Sequence, residues 1–124
     1  MKARKKVLLL DDEPIVCERL KPALEKLGFY VESYTESQKA VDRVMEEHFD
    51  VLVTDLKMQK PDGLEVMEFV RGHSPSTRVI IITGFATVET ATETMKSGAA
   101  DFIAKPFRIR DLCELIVKLT GNGE

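Results

Sequence analysis

Five times along this chain a short run of β-branched or leucine-rich residues is followed by an amphipathic stretch, a rhythm few folds accommodate. The runs are "KVLLL" at 6–10, "FYVESY" at 29–34, "DVLVT" at 50–54, "RVIIIT" at 78–83 and "DFIA" at 101–104. Between them, apolar residues return at helical spacing. Residues 13–27 carry Val16, Leu20, Ala23, Leu24 and Leu27, and 36–48 carry Ala40, Val41, Val44 and Met45. Residues 62–72 carry Val66, Met67, Phe69 and Val70, 86–97 carry Val88, Ala91 and Met95, and 108–120 carry Ile109, Leu112, Cys113 and Ile116. Gly28 and Gly98 supply helix stops. Five β-then-α units predict an α/β domain with a doubly wound parallel sheet, because parallel strands need crossovers and right-handed crossovers lay helices on both faces. "VLLL", "VLV" and "VIII" are apolar without alternation, as central strands buried on both faces should be. "FYVESY" alternates with polar residues and suits an edge.

With 124 residues, the chain can build one core and is too short to divide comfortably into two. We read one domain over residues 5–120 and a tail at 121–124. A formal net charge of -3 argues against direct binding to nucleic acid, although "MKARKK" could form a small basic patch. No apolar stretch approaches the ~20 residues that span a bilayer, so no membrane association and a cytoplasmic location are expected. Cys17 and Cys113 form no C-x-x-C pair and read as buried reduced thiols. His48 and His73 are too isolated for a metal site; they read as a helix end and a loop residue.

Ligands of open α/β sheets bind beyond the carboxyl ends of the strands. The first run is followed there by Asp11 and Asp12, the third by Asp55, the fourth ends in Thr83, and the fifth is followed by Lys105 and Pro106. Each has a simple explanation alone: Asp12 as a cap for a helix starting near Pro14, Thr83 as a turn residue before Gly84, Lys105 as a surface charge. Together they put three carboxylates, a hydroxyl and an ammonium on one rim. Clustered carboxylates call for a cation, and oxygen ligands suit Mg2+ rather than zinc. A lysine and a hydroxyl are what a phosphoryl group wants nearby.

The set "DDEP", "VTDLKM" with "PDG", "IIITG" and "DFIAKPF" resembles the receiver domain of two-component response regulators, in the same order and at similar spacing. The stretch 83–107 is most similar to receivers that precede enhancer-binding ATPase domains. The resemblance implies a flavodoxin-like sheet of order 2-1-3-4-5 and a phosphoacceptor function. It implies that Asp55 takes a phosphoryl group from a phosphohistidine on a sensor kinase or phosphotransfer protein. Mg2+ would be held by Asp12 and Asp55, by Asp11 through water, and by the backbone carbonyl of Lys57. Lys105 is expected to pair first with Asp55 and then with the phosphoryl group, aimed by a cis Pro106. Thr83 would be drawn inward on phosphorylation, with Phe102 following, so that the surface of helix 4, strand 5 and helix 5 changes. The apolar arc of helix 5 is compatible with a phosphorylation-dependent homodimer there. Ile15 on the outer row of helix 1, and Pro106, are candidate kinase-docking residues. Glu13 is expected at the helix start, facing solvent without a role.

Two departures from the family pattern stand out. Gln59 and Lys60 intervene before Pro61, where proline usually follows the methionine matching Met58. Lys57 and Phe85, each two residues beyond a site residue, flank the path of an attacking water and predict slow loss of the phosphoryl group. An aspartate-dependent phosphatase is a weaker fit, since its D-x-D would need Asp at position 13 and its substrate site more chain. A flavin-binding module of similar topology would be repelled by "DDEP" at the loop that must cradle phosphate.

Overall fold

The computed structural model describes residues 4–121. Its elements alternate throughout: β1 (Lys6–Leu10), α1 (Pro14–Lys26), β2 (Tyr30–Tyr34), α2 (Ser37–Glu46), β3 (Val51–Asp55), α3 (Gly63–His73), β4 (Arg78–Thr83), α4 (Val88–Lys96), β5 (Asp101–Ala104) and α5 (Ile109–Thr120). The strands form one parallel sheet of order β2-β1-β3-β4-β5. Its centre is β1, β3 and β4, and "FYVESY" lies at an edge, as its alternation predicts.

Because side chains alternate across a strand, each central strand feeds two cores. Val7, Leu9, Val51, Val53, Ile80 and Ile82 pack against α1 and α5, through Leu20, Leu24, Leu112 and Ile116. Leu8, Leu10, Leu52 and Ile81 face α2 and α3, through Ala40, Val44, Val66, Met67 and Val70. Both cysteines are free and buried. Gly28, at φ +96°, lets the chain turn out of α1 into β2.

The helical stripes hold less uniformly. In α2, Met45 is exposed although it belongs to the apolar set. In α4 the departure is larger: Val88 is 84% and Met95 45% exposed, while the buried residue of the helix is Thr94. At 3.6 residues per turn, Val88 and Met95 lie about 120° and about 100° around the helix from Thr94. The apolar periodicity is real, but its stripe does not face the core. His73 closes α3 rather than lying in a loop and stacks on Phe69, with ring centroids 5.6 Å apart. His48 follows α2 and shares a hydrogen bond with Ser76.

One polar network ties the edge strand to α2. The Glu32 carboxylate accepts from Arg43 Nε and Nη2, both at 2.8 Å, and from the hydroxyls of Tyr30 at 2.7 Å and Tyr34 at 2.8 Å. The guanidinium, helped by the two phenols, holds the Glu32 carboxyl down to about 2. A depressed carboxyl stabilises the fold above its unfolded value and loses that contribution as pH falls toward its folded value. Glu32→Gln is therefore expected to cost about 2 kcal/mol at neutral pH, with the difference from the parent shrinking below about pH 4. Urea unfolding of both proteins across that range checks it; a difference independent of pH would remove the ionic explanation.

Candidate functional site

The parallel register builds the site. Leu10 pairs with Thr54, and Asp55 with Ile82, so Asp11, one residue beyond β1, lies beside Asp55, the last residue of β3. Thr83 pairs with Ala104, which brings Lys105 to the same rim. The Lys105 amide also donates to the Thr83 carbonyl at 2.8 Å. Asp11, Asp12 and Asp55 each offer a carboxylate oxygen, and these three atoms lie within 4.8 Å of one another. Asp11 and Asp55 are buried and Asp12 is exposed, so the cluster opens outward through Asp12.

Gathering these charges has an electrostatic cost. Burial, and then repulsion from Asp11, push the Asp55 carboxyl up to about 6. Burial raises the Asp11 carboxyl as well, against the pull of Lys105. Burial works against the Lys105 ammonium too, but the Asp11 and Glu13 carboxylates outweigh it and hold the amine above the usual lysine range. The lysine thus stays charged.

Its position departs from expectation. Lys105 Nζ lies 3.5 Å from Asp55 Oδ2, but 2.8 Å from both Asp11 Oδ2 and Glu13 Oε1. The expected ion pair with Asp55 is therefore present, but looser than those with Asp11, the more deeply buried acid, and Glu13, which reaches back over the rim. Glu13, expected to face solvent without a role, is exposed yet engaged. Asp12 does not cap α1 either. The residue at the cap position is Glu13, without a side-chain cap, and its amide donates to Asp11 Oδ1 at 2.9 Å. Proline at the first turn of α1 leaves fewer amides to satisfy.

Other predicted residues are placed with mixed results. Thr83 is fully buried, and its hydroxyl accepts the Phe85 amide at 3.0 Å, which turns it toward its own loop. Phe102 is half-buried against the core on the α2 and α3 side. Lys57 and Phe85 meet: the ammonium lies 5.8 Å from the ring centroid, a cation–π contact between the segments that follow β3 and β4. The bond before Pro106 is cis, as expected; that before Pro61 is cis too, which the sequence did not disclose. Ile15 is half exposed on α1 and Pro106 is exposed on the adjoining loop. Between α1 and that loop is a cavity of about 310 Å³ lined by Val16, Arg19, Leu20, Lys105, Pro106 and Phe107, and by Ile109 at the start of α5.

The donor set suits a cation. Asp11 Oδ2 is buried, and although Lys105 is 2.8 Å away, the approach makes no hydrogen bond. A buried carboxylate oxygen without a hydrogen bond, beside two further carboxylates and no thiolate or imidazole, fits a hard divalent ion.

The sequence model of the response regulator receiver domain matches residues 7–117. The chain belongs to that family. Receiver domains are the phosphoacceptor modules of two-component systems, and this chain is one. It is 35% identical over 118 residues to the regulatory protein AtoC of Escherichia coli (strain K12), covering 95% of this chain and 25% of that protein. It is 34% identical to the response regulator receiver protein CpdR of Brucella abortus (strain 2308), covering 93% of this chain and 96% of that protein. Among solved structures, a CheY-like receiver domain protein from Methanospirillum hungatei JF-1 superposes with a TM-score of 0.89 at 29% identity over 97% of both chains. The receiver spans about a quarter of the length of AtoC and of the response regulator protein PilR of Pseudomonas aeruginosa, to which it is 32% identical over 114 residues. Among its described residues, no helix is long and apolar enough to cross a membrane.

Proposed function

We propose that Asp55 is the phosphoacceptor of this receiver, taking its phosphoryl group from a phosphohistidine on a sensor kinase or phosphotransfer protein in the cytoplasm. The observation that carries this reading is the convergence of Asp11, Asp12, Asp55 and Lys105 at one rim, with Asp55 central to it. In the transfer, an Asp55 carboxylate oxygen forms a bond to phosphorus as the bond to imidazole nitrogen breaks, and the imidazole keeps that electron pair. Charge on the equatorial oxygens is what the site must offset. Asp11, Asp12 and Asp55, with the Lys57 carbonyl, would hold Mg2+, which supplies Lewis-acid charge neutralisation when bound. Lys105, close enough to both acids to shift between them, neutralises a phosphoryl oxygen on this reading, and the Thr83 hydroxyl donates to another.

The Thr83 hydroxyl that would donate to that oxygen also accepts the Phe85 amide, which couples the site to the β4–α4 loop. Phe102 and the surface of α4, β5 and α5 would read out the change, either to a partner or to a second copy of the domain. Pro106, which lines the cavity beside α1, and Ile15, exposed on that helix, are proposed to receive the phosphodonor. Treatment with acetyl phosphate and Mg2+, followed by intact-mass measurement and peptide mapping, should add one phosphoryl group at Asp55. A group mapped to another residue would refute the assignment.

The Lys57–Phe85 pair supports slow self-dephosphorylation, since water must approach phosphorus opposite the Asp55 oxygen and, on this reading, the pair stands in that path. Lys57→Asn with Phe85→Ala is expected to shorten the phosphoryl lifetime about tenfold, a barrier change of about 1.4 kcal/mol. Decay followed after removal of the donor measures this directly. An unchanged lifetime would mean that the pair does not obstruct water.

A further inference from the structure

Of the three carboxylates around Lys105 Nζ, Glu13 alone makes a hydrogen bond with it, at 2.8 Å; the Asp11 contact is a bare ion pair, and Asp55 Oδ2 stands off at 3.5 Å. Glu13, which is not part of the carboxylate cluster, thus holds the lysine as closely as Asp11 does. Glu13 is held for this job by its backbone. Its amide is fixed on Asp11 Oδ1 at 2.9 Å, and Pro14 after it begins α1. The lysine is fixed from its own side, by its amide on the Thr83 carbonyl and by the bond to Pro106. Two short, anchored segments therefore meet at the Lys105 ammonium, which Glu13 and Asp11 both hold.

Resting on the reading of Asp55 as phosphoacceptor, we propose that Glu13 is a positioning residue, a second anchor that holds the Lys105 ammonium on the α1 side of the rim and competes with the phosphoryl oxygen for it. An ammonium has three N–H bonds and one location. While Glu13 holds it, the Asp55 carboxylate is only partly screened, and the charge needed in the transition state must first be surrendered by Glu13. The Glu13 side chain is 60% exposed, so water replaces the lost partner and the surrender is easy. That makes Glu13 a modest brake on phosphoryl acceptance rather than a barrier to it. No acid within α1 hydrogen-bonds this lysine: Glu18, exposed on that helix, provides a control of equal charge.

The test compares Glu13→Met, which keeps the bulk and removes the acceptor, with Glu18→Gln, which removes a charge without a hydrogen bond to Lys105. In the metal-free protein, the lysine side-chain nitrogen resonance of Lys105 is expected to move in Glu13→Met and stay in place in Glu18→Gln. At saturating Mg2+, acetyl phosphate is expected to label Glu13→Met roughly fivefold faster than the parent, with Glu18→Gln at the parent rate. An unmoved Lys105 resonance, an unchanged labelling rate, or the same acceleration in both variants would overturn the proposal. The resonance is read without a phosphodonor, so a failure of Asp55 to be labelled at all would count against the phosphoacceptor reading and leave the Glu13 contact separately measured.

Discussion

Asp55→Asn is expected to stabilise the metal-free domain by about 2–3 kcal/mol at neutral pH while abolishing its labelling by acetyl phosphate. Burial and the neighbouring Asp11 raise the Asp55 carboxyl from 3.8 to about 6. A raised carboxyl favours the fold fully below its unfolded value, and that advantage disappears as pH climbs through the folded value. Between those two points the folded protein binds more protons here than the unfolded chain does, so stability falls by about 3 kcal/mol over the window. Asparagine has no charge to bury at either end. The variant should therefore gain most near pH 7 and little near pH 4, which denaturant unfolding in chelator at the two pH values measures. Equal stability of the two proteins at pH 7 would mean that Lys105 already neutralises Asp55 from 3.5 Å.

Gly63→Ala should be nearly as consequential, through space rather than charge. A Cβ at position 63 would lie 2.2 Å from the Asp55 carbonyl oxygen and 2.8 Å from Leu56 Cα. Both are backbone atoms, so no side chain can swing aside. The Gly63 amide also donates to the Leu56 carbonyl at 3.0 Å, which draws the start of α3 onto the end of β3. The expected cost is about 3 kcal/mol of stability. The atoms displaced belong to Asp55, so labelling should slow as well, by about a hundredfold for a shift of order 1 Å. Gly72→Ala provides the contrast: on the same helix, with open space around the position, it should be neutral or slightly stabilising. Similar losses in both variants would assign the effect to helix propensity instead of crowding at Asp55.

What the sequence discloses depends on the kind of interaction. Order and burial of the strands follow from the unbroken "VLLL", "VLV" and "VIII", because hydrophobic burial is non-directional and composition suffices to specify it. The acids and the lysine could be assigned to one rim because parallel strands all end on the same side. Which carboxylate holds Lys105 was not legible. That choice depends on differences of less than 1 Å among Asp11, Glu13 and Asp55, and no spacing rule resolves it. The close packing of Gly63 on Asp55 was visible only as the glycine of the single "PDG" at 61–63. The orientation of α4 escaped for another reason: a period of 3.6 reveals that a stripe exists, while tertiary packing decides which way it points.

That helix has an energetic consequence for signalling. Its start is held by a capping box of Thr87 and Thr90, and its end by the Arg71 guanidinium on the Ser97 carbonyl. The side chains between contribute little to holding it. Val88 and Met95 forgo burial, and the Thr94 hydroxyl is buried without a hydrogen bond, which costs about 1–3 kcal/mol. An element secured at its two ends and indifferent along its length sits in a shallow well. The free energy of one new hydrogen bond at Thr83 is then of the same order as the work of displacing it, so a single phosphoryl group has enough leverage to be felt at the surface.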